Sequence, residues 1–134
     1  MKIIKVGPPK SDANVLSTLD NVIQYGAGEW EWIGNDGFTK FSFLVYSGGG
    51  NVKIYIDVPS QSFLQPNYRL ELNEDDGNSF DDQVDIFTLP REGGVYRMDF
   101  SGISSFVDGA NNKAELYLQS MLYKDVSKNA DFWD

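Results

Sequence analysis

The residues of this chain with the widest chemical repertoire are aromatic and acidic. Trp30 and Trp32 alternate with Glu29 and Glu31, a period of two that puts both rings on one face of an extended strand. Tyr46 and Tyr55 sit in the next two apolar runs, at positions that alternate away from Phe43, Val45 and Ile54. Flat aromatic rings stack on the C–H faces of sugars, while carboxylates and amides bond the hydroxyls. Trp30, Trp32, Tyr46 and Tyr55 are therefore the candidate saccharide-binding residues. Each also reads as a strand former that fills the core or lies beneath a second layer. A denser acidic group follows: Asp75, Asp76, Asn78, Asp81 and Asp82, flanked by Asn73 and Glu74. Calcium takes six to eight oxygens, so these five are candidate calcium ligands and calcium is the one cofactor the sequence offers. They do not fit an EF-hand, because aligning Gly77 with its turn glycine puts Leu72 where the first carboxylate belongs. The same stretch also reads as a solvated loop turning at Asp76-Gly77.

Other chemistry is excluded by composition. The chain has 134 residues, no cysteine and no histidine. This removes disulfides, thiolate zinc sites, thiol catalysis and the serine–histidine triad together. Gly48-Gly49-Gly50 lies between two strand-like runs and lacks the lysine and helix of a phosphate loop. No nucleophile–base motif is present, and the expectation is a protein that is not an enzyme. The net charge of −9 argues against the nucleic-acid backbone and against anionic membranes as partners. No apolar run reaches signal-peptide or membrane-span length, so the chain is expected to be made and kept inside the cell, which suits a virion protein released by lysis or, alternatively, a cytoplasmic one.

The elements that must position these groups are mostly strands. Residues 2–6 (KIIKV) read as a short strand stopped by Gly7-Pro8-Pro9. Residues 12–24 carry Val15, Leu16, Leu19, Val22 and Ile23 on one helical face, yet their β-branched content also suits a strand; both readings stay open. From Glu29 the period is two, with a turn expected at Asn35-Asp36-Gly37. The runs 38–46 and 51–58 flank Ser47-Gly48-Gly49-Gly50 and read as a hairpin. In that hairpin Phe41 faces Ile56, Phe43 faces Ile54 and Val45 faces Val52, making one apolar face for the core. Further strands are expected at 67–72, 83–89, 95–100 and 113–123, and residues 125–134 form an arm or a closing strand.

The pattern predicts an all-β, jelly-roll-like β-sandwich over residues 26–134, preceded by an N-terminal attachment segment, 1–25. From Glu29 to Tyr123 the strand pattern resembles carbohydrate-binding modules of the jelly-roll type and small bacteriophage particle proteins: adhesion modules, head fibres and decoration proteins. That resemblance implies a non-catalytic binding or assembly module. A virion structural or adhesion component is the first reading and a polysaccharide-binding module the alternative; a small cytoplasmic enzyme or inhibitor is a third. The first reading makes the chain a homo-oligomer among other virion proteins. Ile3, Ile4 and Val6 are then the assembly residues, pairing with an open sheet edge on a neighbour; the alternative is that the segment closes its own sandwich.

Overall fold

The computed structural model describes residues 2–9, 30–75, 81–107, 112–121 and 126–134. These residues form nine strands: β1 (Lys2–Gly7), β2 (Trp32–Phe38), β3 (Val45–Ser47), β4 (Val52–Val58), β5 (Tyr68–Glu74), β6 (Asp82–Leu89), β7 (Gly94–Phe100), β8 (Ala114–Ser120) and β9 (Lys128–Trp133). A single 3₁₀ turn spans Ile103–Phe106. One sheet runs β1-β7-β4-β9-β2 and the other β3-β8-β5-β6, with every pairing antiparallel. The orders β2-β9-β4-β7 and β3-β8-β5-β6 are those of an eight-stranded jelly roll, to which β1 adds a fifth strand beside β7.

Alternation explains the core. Val52, Ile54 and Ile56 of β4 point inward beside Met98, Phe100, Ala130 and Phe132, and meet Leu70, Leu72, Leu116 and Leu118 of the facing sheet. Tyr68 is wholly buried with them; its hydroxyl donates to Pro59 O at 2.5 Å, a partner that a buried phenol requires. Lys128 occupies the inward register of β9, opposite Phe38. Its side chain is only 2% exposed, and its Nζ donates to Thr39 O and Val126 O at 2.6 and 2.7 Å. Removal from water lowers its pKa to about 8.

Two expectations are corrected. First, 38–46 and 51–58 do not form a hairpin. β3 pairs with β8 and β4 with β7 and β9, so the glycine-rich link 48–50 crosses between sheets. Phe41 lies opposite Gln119 and Ser42 N bonds Leu118 O, whereas Val45 lies opposite Leu116. Three residues on one strand thus match two on the other. This bulge reverses the parity: Val45 is buried while Phe41 and Phe43 face solvent, Phe43 at 73% exposure. Second, Asn35-Asp36-Gly37 is not a turn but the middle of β2. Ile3 and Ile4 pair with Met98 and Arg97 of the same chain, so residues 2–7 form the edge strand of the five-stranded sheet. Val6 packs against Tyr55 and Trp133. The segment 12–24 lies outside the described residues. The tail closes the fold as β9.

Candidate functional site

All three tryptophans of the chain gather on the outer face of the five-stranded sheet, beside Tyr55 and Lys53. Lys53 pairs across the sheet with Trp133 on one side and Asp99 on the other. Its Nζ sits 4.1 Å from the centroid of the Trp30 ring, a cation–π contact. Burial lowers the Lys53 pKa, as does Arg97, while Asp99 opposes the shift. Arg97 grips Asp99 with two bonds, Nε to Oδ1 at 3.0 Å and Nη2 to Oδ2 at 3.1 Å. That bonding holds the guanidinium pKa above its ordinary value, and Tyr55 adds to it. Tyr55 and Trp133 form a buried pair flanked by Val6 and Trp30.

The open part of this face lies along β2 and β9, and a second β-bulge shapes it. Trp32 pairs with Trp133, but Gly34 pairs with Phe132, so the register slips by one at Ile33. Without the slip, Trp32 and Asn35 would point to opposite faces, because their separation is odd. With it, both point outward. Gly34 turns inward against β3, where an added Cβ would lie 2.6 Å from Val45 Cγ1; only glycine permits that approach. On the outer face Trp32 Nε1 donates to Asp131 Oδ1 at 3.3 Å. Asn35 Nδ2 donates to the same oxygen at 2.8 Å and to Asn129 Oδ1 at 2.7 Å. The Trp32 indole, 53% exposed, is thus fixed by its N–H above a row of amide and carboxylate groups. A flat apolar surface beside converging polar groups is suited to a ligand with both a C–H face and hydroxyls.

Of the four residues expected to bind saccharide, Trp30, Trp32 and Tyr55 share this face. Trp32 is open, Trp30 is half-buried against Lys53, and Tyr55, at 5% exposure, is corrected from an exposed contact to a buried support. Tyr46 is exposed but belongs to β3, on the other sheet, opposite Glu115. There Phe41 and Tyr117 form a second aromatic pair, with ring centroids 6.1 Å apart. Among the expected calcium ligands, Asp76 and Asn78 lie outside the described residues. Asp81 Oδ2 accepts the Tyr117 hydroxyl at 2.5 Å; burial first, and this bond second, push that phenol's pKa upward. Asp75 N donates to Glu115 O, and Asp82 opens β6. No three acidic side chains converge among the described residues.

Asn35, Asn129 and Asp131 were missed. Asn35 was hidden by its resemblance to a turn. The other two were legible: in Lys128–Trp133, Ala130 and Phe132 alternate inward, which sends Asn129, Asp131 and Trp133 outward.

Residues 32–132, from Trp32 to Phe132 and so covering the whole network, match a family model described as the YndA coiled coil domain. The chain belongs to the YndA coiled coil domain family. It is also similar to the "Uncharacterized protein YndA" of Bacillus subtilis (strain 168), with 38% identity over 111 residues, covering 81% of this chain and 76% of the relative. The description names a coiled coil, yet the described residues within 32–132 are strands, loops and one 3₁₀ turn. No solved structure matches the chain.

Proposed function

We propose that this chain is a non-catalytic binding module that recognises a neutral polysaccharide on the outer face of its five-stranded sheet, with Trp32 as the stacking platform. The observation that carries the reading is the fixed, exposed Trp32 indole beside Asp131, Asn35 and Asn129. Their bonds hold the polar groups in place before a ligand arrives, which lowers the ordering cost of binding. Neutral sugars fit better than anionic ones, because the chain carries −9 and the row includes a carboxylate.

Native electrophoresis through gels containing dextran, amylose, xylan, galactomannan or solubilised chitin tests the proposal. Retardation by at least one polysaccharide, lost in Trp32→Ala with the β-sheet circular dichroism preserved, is the expected result. Unretarded migration in every gel, or retardation unchanged by Trp32→Ala, contradicts it.

A further inference from the structure

Beyond Asn129 the same outer face opens into a depression of about 510 Å³, bounded by Pro9, Pro59 and Ser127 and lined by Gly37, Asp57, Lys128 and Asn129. The register puts Gly37, Asn129 and Asp57 in one row across β2, β9 and β4. Asn129 belongs to both sites, since it also accepts from Asn35. The depression therefore continues the Trp32 network and does not stand apart from it.

Gly37 is the informative residue. Its φ is not among the positive values, so its backbone conformation is open to any residue. An added Cβ would meet only Lys128 O, at 3.8 Å, an ordinary contact. Neither backbone strain nor packing requires glycine here, in contrast to Gly34. What glycine does is leave the row without a side chain where the depression lies. The rigid Pro8-Pro9 segment after β1 brings Pro9 to the rim, giving that segment a role at the site.

We infer that this depression is a second saccharide subsite, that Gly37 keeps it open, and that the ligand is a linear saccharide occupying it and the Trp32 platform together; this rests on the saccharide reading above. From Trp133 to Asn129 along β9 is about 14 Å at ordinary strand rise, longer than one pyranose ring. Asp57 and Asn129 supply acceptors and an amide donor for hydroxyls at the far end, while Pro9 and Pro59 offer apolar walls to a ring edge.

The test is isothermal titration with hexasaccharides of glucose, xylose, mannose and N-acetylglucosamine, each compared with its monosaccharide. Wild type is expected to bind one hexasaccharide at least about tenfold more tightly than its monosaccharide. Gly37→Leu, which fills the depression, removes that advantage and leaves the monosaccharide affinity unchanged. Gly37→Ala keeps it, and Trp32→Ala loses both ligands. A chain-length series on wild type needs no variant: affinity rises from mono- to trisaccharide and then levels. Equal affinity along the series, or a Gly37→Leu protein that binds the hexasaccharide as wild type does, overturns the second subsite while leaving Trp32 recognition intact. Absence of wild-type binding to every probe overturns both.

Discussion

Replacing Lys128 by methionine changes how stability depends on pH, and the structure gives sign and size. The ammonium group is taken out of water at the end of the sandwich and bonded to two backbone carbonyls, with its pKa lowered from 10.5 to about 8. Between those values the unfolded chain binds more protons than the folded one, so stability rises with pH across that window. The charge therefore opposes folding in full below pH 8, and the opposition is relieved as pH rises toward 10.5. A full shift of that size corresponds to ~3 kcal/mol, and the expected gain between pH 7 and 10 is ~1–3 kcal/mol. Methionine keeps much of the volume but cannot titrate. Urea unfolding followed by tryptophan fluorescence at pH 7 and pH 10 gives the comparison. Wild type should gain ~1–3 kcal/mol relative to Lys128→Met over this interval. Two parallel pH profiles, differing by less than ~0.5 kcal/mol, would refute the claim that Lys128 is buried with its charge.

Other substitutions probe the core. Tyr68→Phe removes a buried hydrogen bond to Pro59 O and should cost ~1–2 kcal/mol by urea unfolding. Phe132, wholly buried, should cost ~3–5 kcal/mol as Phe132→Ala, whereas the exposed Phe43→Ala should cost under ~1 kcal/mol; equal losses would contradict the bulge between Ser42 and Val45. Gly93 has φ +76°, and an added Cβ would lie 2.6 Å from Val58 O and Pro59 C. Gly93→Ala should lower stability by more than ~1 kcal/mol, measured as a drop in thermal midpoint.

The sandwich was largely legible because Val52, Ile54 and Ile56, and the runs that became β5, β7 and β8, alternate cleanly and find their faces by burial alone. What escaped is what alternation cannot encode. A bulge changes parity without marking the composition, so Phe41 and Phe43 looked like core. Two neighbouring runs can enter different sheets through a glycine-rich link as readily as they form a hairpin, and only the facing strands decide. Asn35-Asp36-Gly37 has turn chemistry, yet β9 supplies the ladder that keeps it extended. At the site, the tryptophans were visible as residue types. Which of them is open depends on long-range packing: Tyr55 alternates outward but is covered, and Tyr46 belongs to the other sheet.

The most direct test of the central claim is a two-dimensional ¹H–¹⁵N spectrum of the labelled protein titrated with the polysaccharide that retards it. The account predicts saturable shifts of the Trp32 indole N–H and of the Asn35 and Asn129 side-chain amides, with the backbone amides of Phe41, Tyr46 and Tyr117 unmoved. Shifts concentrated at Phe41, Tyr46 and Tyr117, or none at Trp32 under saturating polysaccharide, would contradict it.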